Sequence, residues 1–150
     1  MSTTQPADVN SYQVGGSHYA RGGDCQHWDW IERNGMGYLE GCATKYVSRW
    51  RFKNGVQDLH KALHYVAKIR DLARPRVIFL LGIPFEVPGS RRSNRSHSYH
   101  ISAAEFARAN SLSRAEYRVC KLLQGWRTID DLDEAEREIR DIIAIHEASK

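Results

Sequence analysis

KYVSRWRFKNGVQDLHKALHYVAKI, residues Lys45–Ile69, is the stretch whose reading decides the fold. It reads as two amphipathic helices joined by a short turn at Lys53-Asn54-Gly55. Ahead of the turn, Leu39, Ala43, Tyr46, Val47 and Trp50 recur at helical spacing and form one apolar stripe. Beyond it, Val56, Leu59, Ala62, Leu63, Val66 and Ile69 form another. Asn54-Gly55 stands where a helix end needs a residue that tolerates positive φ. The polar positions carry a second pattern. Lys45 and Arg49 share a face of the first helix, followed by Arg51 and Lys53, while Asp58, Lys61, Tyr65 and Lys68 share a face of the second. Closing the hairpin brings these faces together as a basic pocket with one carboxylate and one phenol.

Working outward, the chain is 150 residues long, 41% hydrophobic, with a formal charge of +4 and an isoelectric point near 9.1. That suits one ordinary domain, or two small units sharing a core, with a mild preference for an anionic partner. No segment reaches the roughly eighteen apolar residues of a membrane span, so no membrane partner is expected. The N-terminus MSTTQPADVNSYQ has neither a basic n-region nor an apolar h-region. Cys25, Cys42 and Cys120 make an odd count without a scaffold pattern, which indicates a reduced, cytosolic protein. Residues 1–12 are expected to be flexible.

Gln13–Asp24 carries four glycines around Ser17-His18-Tyr19, the composition of a loop that approaches something closely. The chain has no Walker A pattern. His18, Cys25 and His27 lack the second ligand pair that zinc spacing requires, and no structural metal is expected. Trp28–Arg33 reads as a short helix ending near Asn34-Gly35. After the central hairpin, Arg76–Phe85 is a dense apolar run between Pro75 and Pro88, expected to be a buried strand, with Pro84 arguing for an edge position. Gly89–Ser98 is basic and serine-rich, a linker by composition. From Ile101 onward the pattern is helical.

That last stretch repeats the first. At an offset of 76, Asp29–Trp50 meets Glu105–Trp126 without a gap, placing Asn34 on Asn110, Glu40 on Glu116, Lys45 on Lys121 and Trp50 on Trp126. The second turn is three residues shorter, after which Asp58-Leu59-x-x-Ala62 matches Asp131-Leu132-x-x-Ala135. The fold expected is mainly α: two tandem helical-hairpin units forming an internal pseudo-dimer, with at most one short strand between them. The polar positions diverge. Arg49 becomes Gly125, Tyr46 becomes Leu122, Lys61 becomes Glu134, Tyr65 becomes Glu138 and Lys68 becomes Asp141.

His18-Tyr19, then Lys45-Tyr46-x-x-Arg49-Trp50-Arg51-x-Lys53, then Asp58-Leu59-x-Lys61-Ala62-x-x-Tyr65 resemble the signature of a small tailed-phage domain. That domain-of-unknown-function family includes the early-region nucleotide kinase of coliphage T-seven. The resemblance covers about residues 14–72, with a degenerate second copy at about 96–146. It implies a phage protein acting in the host cytoplasm and divides the chain into a nucleotide kinase-like unit at 13–75, an apolar and basic segment at 76–98, and a degenerate unit at 99–150. It also implies a transferase, a deoxynucleoside monophosphate kinase using ATP and Mg2+.

The residues themselves suit phosphate. Lysine brings point charge and arginine a bidentate fork, so Lys45, Arg49, Arg51, Lys53 and Lys61 are candidate phosphate ligands. Phosphoryl transfer is mostly positioning and charge stabilisation, which makes Lys45, Arg49 and Asp58 the candidate catalytic groups. Asp58 either holds Mg2+ or complements the dipole at its helix start. His18 either caps its loop or contacts phosphate. Tyr19 and Tyr65 are candidates to stack on a base, and Trp50, on the apolar stripe, is expected to be core. Three functions stay open: a nucleotide kinase, a binding protein that sequesters a nucleotide or signalling nucleotide or inhibits a host protein, and a nucleic-acid binder using the basic face and Arg91–Arg95. A homo-oligomer is compatible with each.

Overall fold

A computed structural model describes Gly23 and residues 25–89 and 100–150. Helices dominate: α1 (His27–Arg33), α2 (Tyr38–Arg49), a 3-10 turn (Trp50–Phe52), α3 (Val56–Ala73), α4 (Ala103–Ala109), α5 (Arg114–Gly125) and α6 (Ile129–Ala148). Between α3 and α4 lie β1 (Arg76–Leu80) and β2 (Ile83–Val87), which pair with each other as an antiparallel hairpin. The expected helix over Trp28–Arg33 and the helix–turn–helix around Asn54-Gly55 are both present, Gly55 taking φ 58° at the start of α3.

The apolar stripes predicted from Lys45–Ile69 face one core. Ala43, Val47, Trp50, Leu59, Ala62, Val66 and Ile69 are buried, and they join Phe106, Val119, Cys120, Leu123, Trp126, Leu132, Ala135 and Ile139 in a single cluster. Trp30 stacks face to face on Phe106, with ring centroids 4.2 Å apart and planes 4° from parallel. Both Trp50 and Trp126 are buried, as their places on the stripes require.

Polar contacts across this core come in matched pairs. Trp50 Nε1 donates to Glu116 Oε1 (2.5 Å), and Trp126 Nε1 donates to Glu40 Oε1 (2.8 Å). Asn34 Nδ2 donates to the Ile101 carbonyl (2.8 Å), and Asn110 Nδ2 donates to the Cys25 carbonyl (3.0 Å). Each asparagine also reaches back to its own helix, to the Trp30 or Phe106 carbonyl. The residue after each asparagine has left-handed backbone: Gly35 at φ 55° and Ser111 at φ 53°. Helices α1 and α4 each have 7 residues, and α2 and α5 each have 12. On the long axis, Arg70 of α3 pairs with Asp133 (2.7 Å) and Glu136 of α6.

The segment Arg76–Phe85 corrects one expectation. It is not a buried strand but the greater part of the two-stranded hairpin, and every residue of both strands is exposed. Leu81 and Gly82 both take positive φ (52° and 80°), the requirement of a primed two-residue hairpin turn. That turn ends the apolar run as a strand, and the helical core is already closed without it. Pro84 does lie on an edge strand, opposite Phe79. Gly89 presses the hairpin's exit onto the end of α3, where a Cβ would sit 1.9 Å from the Ala73 carbonyl oxygen. Residues 1–12 and the core of the basic linker lie outside the described residues.

Candidate functional site

Lys45, Tyr46 and Arg49 come from successive turns of α2; Asp58, Lys61 and Tyr65 come from α3. The hairpin brings them together. Lys45 Nζ, Arg49 Cζ and Lys61 Nζ lie 5.8, 4.7 and 5.4 Å from the centroid of the one Tyr46 ring. The ring's negative face makes this crowding of cations tolerable. Beside it, Tyr65 stacks on Tyr46 (5.8 Å) and meets Tyr38 edge-on (6.4 Å).

Asp58 is the anchor beneath the cations. Its carboxylate is fully buried and accepts from Arg49 Nε (2.9 Å), Asn54 Nδ2 (2.9 Å) and Lys61 Nζ (3.2 Å). Burial works upward on its pKa, but the bonds from Asn54, Lys61 and Arg49 and the Arg49 charge outweigh it, and the group lies below its ordinary value. This arrangement does not fit the expected Mg2+ ligand. Both oxygens are already engaged, and a dication there would face two cations at hydrogen-bond range rather than the oxygen donors magnesium needs. Among the described residues no group of three His, Cys, Asp or Glu side chains converges on a metal position.

The remaining candidates divide. Arg51 is not part of the cluster: its guanidinium turns to Glu116, with Nε to Oε1 and Nη2 to Oε2 both at 2.9 Å, and to the Ser111 carbonyl at 2.7 Å. The sequence reading grouped it with the phosphate ligands because it follows Lys45 and Arg49, but Arg51 lies in the 3-10 turn, where the chain has left the α2 spiral. Lys53 is exposed in the same turn. Lys68 pairs with Asp71 (3.1 Å), one turn from the cluster. His18 and Tyr19 lie outside the described residues, as does Arg91–Arg95.

Five participants escaped the sequence reading. Tyr46 was counted as core, yet it is half-buried and gathers the cations. Asn54 looked like a turn residue, and its amide holds Asp58. Cys42 and Tyr38, beside Tyr65, push its phenol up to about 12. His27, weighed only as a metal ligand, bonds through Nε2 to Thr44 Oγ1 (3.0 Å) and packs edge-on against Trp30 and Phe106. Burial, then the Lys45 and Arg49 charges, push it down to about 3. The available signal was Tyr46 itself, a phenol on a stripe flanked by basic residues at adjacent helical positions.

Residues 13–67 match the model of a family described as proteins of unknown function, DUF3310. That span takes in each candidate from His18 to Tyr65 and ends before the β-hairpin. No curated protein and no solved structure matches the chain.

Proposed function

We propose that this chain is a nucleotide-binding protein, with phosphate held by Lys45, Arg49 and Lys61 and the base stacked against the Tyr65–Tyr46 pair. The observation that carries this is the crowding of three cations around one phenol ring over one carboxylate: three positive charges less one negative leave +2 at a single patch. Lys61, with 40% of its side chain exposed, and half-buried Lys45 have donors to offer a ligand, whereas Arg49 is mostly buried and acts chiefly as fixed charge. Stacking by aromatic side chains accepts any base and gives sequence-tolerant affinity.

Binding without turnover is the better supported form. A deoxynucleoside monophosphate kinase with ATP and Mg2+, the activity implied by the resemblance, needs a carboxylate able to hold metal or accept a hydroxyl proton, and Asp58 already accepts three hydrogen bonds, two of them from cations. The resemblance implies, on this reading, a phage protein working in the host cytoplasm. A thermal-shift series of nucleoside mono-, di- and triphosphates, followed by titration calorimetry and an ADP-release assay on any hit, tests the proposal. The expected result is a stabilising nucleotide whose effect is weakened in Lys45→Gln and Lys61→Gln, with no ADP released. No stabilisation by any nucleotide refutes the binding site; ADP release restores the kinase.

The two-unit reading of the fold belongs to the same proposal. Its support is the set of contacts that exchange partners at the offset of 76: Trp50 with Glu116 against Trp126 with Glu40, Asn34 with Ile101 against Asn110 with Cys25. Such exchange is the property of an isologous interface, here within one chain. The second unit then stands where a neighbouring subunit stands in single-unit relatives, and one nucleotide binds per chain.

A further inference from the structure

The β-hairpin contributes nothing to the helical core and sits outside the family match, yet it is the most apolar surface among the described residues. The strand register sorts its side chains. Ile78 lies opposite Phe85, Leu80 opposite Ile83 and Arg76 opposite Val87, so these share one face; Val77 opposite Glu86 and Phe79 opposite Pro84 share the other. The first face holds Ile78, Leu80, Ile83, Phe85 and Val87, each 40–60% exposed. Its only charge, Arg76, is at the rim and is drawn toward α3 by Asp71 (2.9 Å). The second face carries Glu86 within it.

We propose that this first face is the interface of a homodimer, packing on the same face of a second copy across a two-fold axis. An apolar face whose one charge lies at the rim offers little charge pattern to select a different partner, but it is complementary to its own copy. Packed base over tip, the two Arg76 side chains lie at opposite ends, so no like charges meet. The exposed area of the five side chains, counted on both copies, is on the order of the 1,000 Å² that a specific interface needs, and on one chain it is in the range of the largest apolar patch of a monomer, which is often functional. Pro84 has no N–H and blocks ladder extension at the β2 edge, which favours association through the face over sheet growth.

Sedimentation equilibrium of the full chain tests this. The wild type is expected to show a two-chain mass, Ile83→Lys and Phe85→Lys a one-chain mass, and Val77→Lys, on the opposite face, the wild-type mass. Because the hairpin lies off the core, melting of all four proteins should agree within a few degrees, which separates lost association from misfolding. A one-chain mass for the wild type at every concentration overturns the proposal, as does a dimer that survives both first-face variants or dissociates equally in Val77→Lys. Co-sedimentation of a one-chain wild type with phosphatidylcholine vesicles would assign the hairpin to a membrane surface and likewise overturn it.

Discussion

On the proposed two-unit reading, helices α1–α3 and α4–α6 are matched by the offset of 76, and the matched positions hold different residues. In the second set every helix begins on a side-chain cap: Ser102 with Glu105, Ser113 with Glu116, Thr128 with Asp131. In the first set Gln26, Gly37 and Gly55 stand at those starts and provide no side-chain cap. The contact between Cys42 and Tyr65 becomes, at the matching positions, Arg118 with Glu138 (2.7 Å), and Lys61 becomes Glu134, which also meets Arg118 (3.4 Å). Arg49 becomes Gly125, with open space where its Cβ would be. Charge in α5 and α6 is thus neutralised in local pairs, while α2 and α3 concentrate it around Tyr46. One set is optimised for its own helices; the other gives up caps and charge balance where a ligand site is proposed.

The buried carboxylates give the sharpest way to break this comparison. Glu116 is almost wholly buried and serves Trp50, Arg51 and its own cap through the Ser113 N–H, whereas Glu40 bonds Trp126 beside Gly37. Glu116→Ala should cost about 3 kcal/mol, because it strands a buried indole N–H and a guanidinium together. Glu40→Ala should cost about 1–2 kcal/mol, the value for one orphaned donor. Urea unfolding of both decides it, and equal losses would mean that the two crossings are energetically alike.

Next come the paired aspartates. Asp58→Asn removes the charge that holds Arg49 and Lys61, for about 2 kcal/mol, and Asp131→Asn weakens a cap, for about 1 kcal/mol. Both carboxyls lie below their ordinary values, Asp131 through the backbone N–H groups of Arg127 and Thr128 first. Their stabilisation is therefore complete above the unfolded value near 3.9 and is lost as pH falls through the folded values. Acid titration of the wild type against each variant should show the larger flattening for Asp58→Asn.

His27 has Ala103 as its counterpart, so at this position only the first set carries an imidazole, half-buried against Trp30 and Phe106. Its folded pKa of about 3 is depressed relative to an unfolded value near 6.5. The unfolded chain binds the extra proton between these values, and stability falls as pH drops from 6.5 toward 3, by up to about 2 kcal/mol at pH 5. His27→Gln, which keeps a donor for Thr44, should remove most of that slope. An unchanged slope would place the acid sensitivity elsewhere.

The smallest effect is the most specific. Lys45→Gln should weaken nucleotide binding about tenfold, some 1.4 kcal/mol, with little change in melting, while Lys121→Gln should leave affinity untouched. Two equivalent sites per chain in calorimetry would erase the functional difference between the two sets.

Much of the architecture was already in the sequence. Helical periodicity is a local property, so the stripes around Lys45–Ile69, the turn at Asn54-Gly55 and the helix ending at Asn34 could be read residue by residue, and the offset of 76 aligned Trp50 with Trp126 before any contact was known. The cationic face was legible for the same reason, since residues three and four apart on a helix are neighbours. What the periodicity could not carry was direction once the helix ended. Arg51 was read as a further phosphate ligand following Lys45 and Arg49, and only the 3-10 turn sends it to Glu116, a partner 65 residues away. Asp58 offered a metal ligand or a dipole partner, and the closing of α3 on α2 added Arg49 to its local partners Lys61 and Asn54. Arg76–Phe85 had the composition of a buried strand. Burial, however, depends on whether the core has room, and α1–α6 close theirs completely, leaving the most apolar run of the chain in water.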